Sequence, residues 1–477
     1  MNSGTWTDRL QRGVEEAWAR RLPAELARMV AIPSISPAFD PDWRDHGALS
    51  LVVEAVSSWA ASRSVSLSTE LIEVPDGTSS LLIDIPASAG NSGRTGVSDG
   101  PVLIYGHLDV QPPGEGWSLS GAFEPRLVGR RLYGRGTSDD KFSALVAVSA
   151  VEALIEAGRA HPRIVVLLET SEESSSVDLP ETLELAGRII GTPSLVLCLD
   201  AFVPDGERLW LSTSMRGIIV ADLRVAVVAE GVHSGLAGGI APSSFRILRA
   251  LLDRIENVET GEVLVPELQT AMPDDQRAHL ATQARLTPAI SESLPLLPGV
   301  RATGATALEQ LVIQCWTPSI AYTGVSGMPP TGEAGSVIRP ETTVRLSIRV
   351  PPLVDMARAV DALRSALESA PPAGATVSLD VVAAEPGWLV SVPEGLELDL
   401  ERAGRTVYGV PPARCGGGAT IPVLGMLAAR FPATPILPLG VVTSESSPHG
   451  PDEFVDLDAA ARLTSAIALL LASGDER

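Results

Sequence analysis

Three short apolar runs rich in β-branched residues, Val102 to Tyr105, Ile164 to Leu168 and Leu195 to Leu199, are separated by stretches with helical spacing such as Phe142 to Ala157. Strand-like runs alternating with helices predict an α/β domain on a largely parallel sheet flanked by helices. From about Ser212 the texture changes. Ile219, Ala221, Leu223 and Val225 alternate with other residues, and so do Val344, Leu346, Ile348 and Val350. A period of two over that length predicts half-buried strands of a mostly antiparallel sheet. Between them Phe245, Leu248, Leu251, Leu252 and Ile255 fall at helical spacing, which makes the insert an α+β domain. Leu396 to Val407 then reads as helix, Pro435 to Leu439 as a buried strand and Leu457 to Leu471 as an apolar closing helix. The expected organisation is a first domain over 1–212, an inserted domain over 213–387, and the first domain resumed over 388–477. Ala87 to Gly100 reads as a Gly/Ser/Asn-rich surface loop, and Met272 to Val300 as a Pro-rich irregular stretch over the insert.

The bulk numbers narrow the partners. With 477 residues, 45% of them hydrophobic, the chain has the apolar content for two or three cores. Its 58 acidic against 36 basic residues give a net charge of −22, which disfavours nucleic acid and anionic membrane and favours a small-molecule or peptide substrate. The first thirty residues contain no apolar signal core and no later run is long enough to span a bilayer, so a cytoplasmic location is expected. Cys198, Cys315 and Cys415 are far apart and odd in number, which predicts reduced thiols.

Each strand-like run is followed within a few residues by a candidate ligand: His107, the Glu172 and Glu173 pair, and Asp200. Open α/β sheets place their sites beyond the carboxyl ends of strands, so these positions agree with one another. With Asp139 and His449 added, the set has two imidazoles and three carboxylates, suited to Zn²⁺ or Mn²⁺, while Glu172 is left free as a base. The chain's only lysine, Lys141, stands directly behind Asp139 and Asp140.

The ordered segments Ala31-Ile-Pro-Ser-Ile-Ser36, Gly106-His-Leu-Asp109, Tyr133-Gly-Arg-Gly-Thr-Ser-Asp-Asp-Lys141, Glu169-Thr-Ser-Glu-Glu-Ser174, Leu199-Asp200, Met215-Arg-Gly217, His233-Ser-Gly235 and Pro438-Leu-Gly440 before His449 resemble the M20 metallopeptidases, particularly their carnosinase-like dipeptidase branch. The resemblance runs over nearly the whole chain. It implies a catalytic domain interrupted by a lid and dimerisation domain, and two Zn²⁺ per subunit, with Mn²⁺ or Co²⁺ as alternatives. Asp139 would bridge the ions, His107 and Asp200 completing one site and Glu173 and His449 the other, with a water or hydroxide between them and Glu172 taking its proton. Asp109 would orient His107 through the far ring nitrogen, and Asp140 would support a segment that in this family often contains a cis Asp–Asp peptide.

The same resemblance makes Arg349 the clamp for a substrate carboxylate, places Ser336 near the substrate, and makes His233 an oxyanion donor acting in trans in a homodimer. Some positions depart from the family pattern. Phe142 stands where glycine is usual, Asp452-Glu453 replaces Asn-Glu, and Arg414-Cys-Gly-Gly-Gly-Ala-Thr-Ile-Pro422 is one or two residues too long, so its register, and with it Gly418 and Thr420 as substrate contacts, stays open. The implied activity is cleavage of a dipeptide, short peptide or related amino-acid amide next to a free C-terminal carboxylate. An N-acyl-amino-acid amidohydrolase, a carboxypeptidase, and a non-catalytic or biosynthetic relative are the alternatives.

Overall fold

The computed structural model describes residues 5–88 and 100–472. Most of the loop expected between Ala87 and Gly100 lies outside these described residues. The chain divides into two units, one made of Met1–Thr213, Val390–Cys415 and Pro422–Arg477, the other of Ser214–Leu389 and Gly416–Ile421.

The first unit is built on a six-stranded sheet in the order Ser68–Glu73, Ser79–Ile85, Ile164–Glu169, Val102–His107, Leu195–Cys198, Ile436–Pro438. The last four strands run parallel, and the first two form an antiparallel hairpin at one edge. Every residue of Val102–His107 and Ile164–Glu169 is buried, so these strands read as unbroken apolar runs: both faces of the sheet are covered. The helix Phe142–Glu156 is buried around nearly its whole circumference and packs against the closing helix Leu457–Leu471, as a helix inside a core must. The first helix, Trp6–Arg20, opens with a capping box between Thr5 and Asp8 and is tied to the closing helix by a bond from Trp18 Nε1 to Thr464 Oγ1 of 2.9 Å. The 102–107 strand has the 164–169 strand on one side and the 195–198 strand on the other, so the strand order reverses about it. The crevice beyond the carboxyl ends at such a reversal is where a ligand site is expected.

The second unit contains a four-stranded antiparallel sheet in the order Ser319–Ser326, Glu341–Val350, Gly217–Ala226, Thr376–Glu385. Burial alternates residue by residue along Gly217–Ala226 and Glu341–Val350. Their inner faces pack with the helices Ser244–Leu252 and Met356–Glu368 into one core containing Ile219, Leu223, Leu346, Leu251 and Leu363. The expected irregular stretch from Met272 to Val300 is corrected in part, because it contains the helix Asp274–Leu286. That helix buries only Gln276, Leu280 and Gln283, so it has no apolar stripe to announce it, while Asp274 and Asp275 in its first turn suit the positive end of the helix dipole. The helix Ala307–Trp316 carries a legible start signal in its Thr306 and Glu309 capping box.

Among the described residues no helix is long and apolar enough to cross a membrane. Among the described residues Cys198, Cys315 and Cys415 form no disulfide, and all three are buried.

Candidate active site

All four parallel strands carry site residues at their carboxyl ends or in the loops beyond them. His107 ends the 102–107 strand, Glu172 and Glu173 stand in the helical turn Glu172–Ser174 after the 164–169 strand, Asp200 follows Leu195–Cys198, and His449 lies in the loop beyond Ile436–Pro438. Asp139 enters from the segment before the 142–156 helix, and the Asp139–Asp140 peptide bond is cis. The approach is close enough to require Gly106: a Cβ there would collide with Ser143 Oγ and Asp140 Oδ2.

The two oxygens of Asp139 face different histidines. Oδ1 lies 3.0 Å from His107 Nε2, and Oδ2 lies 3.1 Å from His449 Nε2, which is also 3.3 Å from Glu173 Oε2. His107 Nε2 is 4.0 Å from Asp200 Oδ1. Ligand atoms of His107, Glu172 and Asp200 all lie within 4.8 Å of one another, and so do those of Asp139, Glu173 and His449. The expected metal ligands and Glu172 are therefore brought together, with Glu172 beside His107 and Asp200 as well as next to Glu173.

The supports are equally specific. His107 Nδ1 is 3.0 Å from the Asp109 main-chain oxygen and 3.5 Å from its Oδ1. A carbonyl only accepts, so Nδ1 carries the hydrogen and a neutral ring presents its lone pair at Nε2, the form a metal ligand needs. The Asp109 carboxylate has a second task that the sequence did not suggest: it accepts from the main-chain N–H of Glu172 at 3.2 Å and of Glu173 at 3.0 Å, fixing that turn. Gln111 Nε2 donates to Glu173 Oε2 at 2.7 Å. Glu453 is fully buried and accepts from Arg135 Nη1 at 2.8 Å and from the main-chain N–H of Gly136, Ser138 and Asp139, so it clamps the segment that presents Asp139. Lys141 turns away from the acids, its Nζ donating to the main-chain oxygens of Met29 at 3.1 Å and Ile32 at 2.9 Å.

Burial dominates the electrostatics, and crowding of like charges adds to it. Burial, reinforced by Glu173, Asp139 and Asp109, pushes Glu172 well above the usual carboxylate range, and burial with Asp139 and Glu172 does the same to Asp200. Burial works against ionised Asp139, but His107 and His449 hold it low. Burial likewise opposes charge on His449, yet Asp139 and Glu173 raise it to about 10. Asp140 Oδ1 is buried without a hydrogen-bond partner. Carboxylates that converge with two imidazoles while raising one another's proton affinity fit divalent cations, which relieve that repulsion.

In the second unit, Arg349 Nη1 donates to Thr420 Oγ1 at 3.0 Å, and Thr420 Oγ1 donates to the Arg216 main-chain oxygen at 2.5 Å. Burial depresses the Arg349 pKa. Arg216 Nε donates to the Gly418 main-chain oxygen at 3.2 Å, so Gly418 and Thr420 both belong to a segment held by guanidinium groups. His233 is exposed and pairs opposite Val337 across two short strands. Its Nδ1 accepts from the Gly235 N–H at 3.1 Å, which leaves the neutral ring's proton on Nε2 as a donor. Ser336 is exposed, and its main-chain oxygen accepts from the Ser234 N–H at 2.8 Å. Sequence reasoning does not single out Glu453, Gln111 or Arg216 as site residues. Glu453 and Arg216 sit within or beside recognisable segments, but only the fold shows which distant backbone groups they hold.

The sequence model of peptidase family M20/M25/M40 matches residues 103–473. Beta-Ala-His dipeptidase of Homo sapiens is 26% identical over 393 residues, covering 80% of this chain and 76% of that protein. Cysteinylglycine-S-conjugate dipeptidase of Corynebacterium striatum is 25% identical over 370 residues, covering 76% of this chain and 78% of that protein. The crystal structure of human carnosine dipeptidase 1 shares the fold with a TM-score of 0.75 at 20% identity, covering 98% of this chain and 99% of that one.

Proposed function

Because this chain belongs to peptidase family M20/M25/M40, we propose that it is a dinuclear metal-dependent dipeptidase cleaving a peptide bond next to a free C-terminal carboxylate. The observation that carries this reading is Asp139, with one oxygen toward His107 and the other toward His449, and Glu172 beside them. His107, Asp200 and Asp139 would hold one ion and Asp139, Glu173 and His449 the other. Bound there, two divalent ions supply Lewis acidity and a water acidified toward neutrality.

The chain's own groups do the rest. Glu172, whose burial among acids raises its proton affinity, takes the proton of the attacking water and delivers it to the leaving amine. Asp109 keeps Glu172 in place through its main-chain N–H. Arg349 binds the substrate carboxylate, with Thr420, Gly418 and Ser336 near it. His233, with its proton on Nε2, stabilises the developing oxyanion of the partner subunit's substrate. A homodimer is supported by exposed Leu236 and Ile240 close to His233 in sequence and by Ser319–Ser326 lying at the edge of its sheet. A cytoplasmic location belongs to the same reading, and cell fractionation checks it.

The decisive experiment removes metal with a chelator, restores Zn²⁺, Mn²⁺ or Co²⁺ separately, and assays dipeptides with free and blocked amino termini beside longer peptides. The reading expects no activity without metal and a preference for free dipeptides. A preference for blocked ones would make the protein an N-acyl-amino-acid amidohydrolase, and prompt trimming of longer peptides a carboxypeptidase. For the dimer, mixing H233A with E172Q chains should recover activity that neither has alone; no recovery would sink action in trans.

A further inference from the structure

Arg216 is a buried guanidinium without an acid. It donates through Nε to the Gly418 main-chain oxygen at 3.2 Å and through Nη1 to the Thr317 main-chain oxygen and to Ser319 Oγ, both at 3.2 Å. Every one of these acceptors is neutral, and its Nη2 donates to no group among the described residues. Arg135, also buried, provides the contrast, because it is paired with Glu453 at 2.8 Å. In a chain of net charge −22, leaving a buried cation without a carboxylate is a costly choice unless an anion completes it.

The same neighbourhood contains Arg349, which has no acid partner either. Ser319 lies directly opposite Arg349 in the antiparallel pairing of Ser319–Ser326 with Glu341–Val350, so Arg216 reaches the residue beside Arg349. Thr420 links the two again, accepting from Arg349 Nη1 and donating to the Arg216 main-chain oxygen. Between these contacts runs Gly416–Ile421, a short piece of chain that belongs to this unit although its sequence neighbours on both sides belong to the other. A Cβ on Gly418 would press into the side chain of Gln314, so the segment lies close against the helix Ala307–Trp316 while Arg216 holds its carbonyl.

We propose that Arg216 is a positioning residue of the substrate-carboxylate pocket: it fixes the Gly418–Thr420 segment, through Thr420 sets the Arg349 fork, and adds a second positive charge to the seat. This deepens, and rests on, the reading of Arg349 as the carboxylate clamp. Burial and the nearby Arg349 charge both oppose the Arg216 charge, and its pKa is lowered to about 10, which still leaves the group cationic at neutral pH. Lysine keeps the charge but lacks the planar fork that serves Gly418, Thr317 and Ser319 together, so it replaces the residue only in part.

The test uses metal-loaded protein and two probes that contain no amide bond to cleave, L-leucine and L-leucinol, titrated calorimetrically into wild type, R216M, R216K and S319A. Wild type is expected to prefer leucine, R216M to narrow that preference by about tenfold, and R216K and S319A to lie between. With Gly-Leu as substrate, KM should rise about tenfold in R216M while kcat changes less than about threefold, a split that general loosening of the fold does not produce. A leucine preference that survives unchanged in R216M overturns the role of Arg216. No preference in wild type overturns the carboxylate seat as a whole, Arg216 included. Should R216M fail to fold, S319A and R216K carry the same decision. Failure of the dipeptidase reading shows separately, as absence of Gly-Leu hydrolysis by wild type, and leaves the leucine titrations to judge Arg216.

Discussion

The two units hold opposite electrostatic debts. In the first, His107, Asp139, Glu172, Glu173, Asp200 and His449 converge with no arginine or lysine among them; Lys141 spends its ammonium on main-chain oxygens and Arg135 is taken by Glu453. In the second, Arg216 and Arg349 lie near each other and meet only hydroxyl and carbonyl oxygens. Folded proteins rarely tolerate either arrangement without a reason, because uncompensated buried charge is expensive. What each cluster lacks thus points to the sign of what would complete it, a cation in one and an anion in the other.

The largest expected effect is at the acid cluster. Glu172→Gln should retain bound metal and lower kcat by about a thousandfold, the range assigned to a positioned general base. Near-normal turnover would make Glu172 a ligand like its neighbours and remove the distinction between holding a cation and moving a proton. At the basic cluster, Arg349→Met should lower kcat/KM for free dipeptides by about a hundredfold and change hydrolysis of C-terminally amidated analogues much less. Equal losses on both would dissolve the contrast between the clusters.

The supports come next. Glu453→Gln leaves Arg135 without its buried counter-charge and removes one acceptor oxygen from the segment before Asp139, so metal affinity should fall about tenfold and the melting temperature should drop. Unchanged metal affinity would show that Asp139 holds its geometry unaided. The smallest effect concerns Glu169, which accepts from Tyr105, Ser171 and Ser176 and is pushed up to about 7, chiefly by burial. Folded, it keeps its proton where the unfolded chain loses it near 4.5, so its favourable contribution is complete below that pH and is lost as pH rises toward 7. Glu169→Gln should flatten that decline in denaturant titrations; an unaltered slope would mean that the acid crowding stops short of Glu169.

The acid cluster was far more legible in the sequence than its counterpart. His107 ends a buried strand, and Glu172, Glu173 and Asp200 each follow one within a few residues, so the rule for open sheets locates them one by one. The alternation that predicted the second sheet is reproduced along Gly217–Ala226 and Glu341–Val350, since one face is buried and period two records it. Glu453 and Gln111 were not legible, because a buried acceptor or a lone amide is defined by the groups the fold brings to it. In the sequence Arg216 stands out only as part of Met215-Arg-Gly217, because its acceptors lie about a hundred residues or more away. The sequence leaves the register of the loop before Pro422 open; in the structure the Gly418 main-chain oxygen accepts from Arg216 and Thr420 Oγ1 from Arg349. The helix Asp274–Leu286 escaped for another reason: its buried face is largely glutamine, to which hydrophobic periodicity is blind.

One topological detail bears on protein engineering. The inserted unit is not a single cassette, since the chain passes between units at Thr213/Ser214, Leu389/Val390, Cys415/Gly416 and Ile421/Pro422. Splicing out Ser214–Leu389 would strand Gly416–Ile421 without the strands and arginines that hold it, and grafting the insert alone onto another host would leave its loop behind. Any transplant or minimised version of this fold therefore has to carry both pieces.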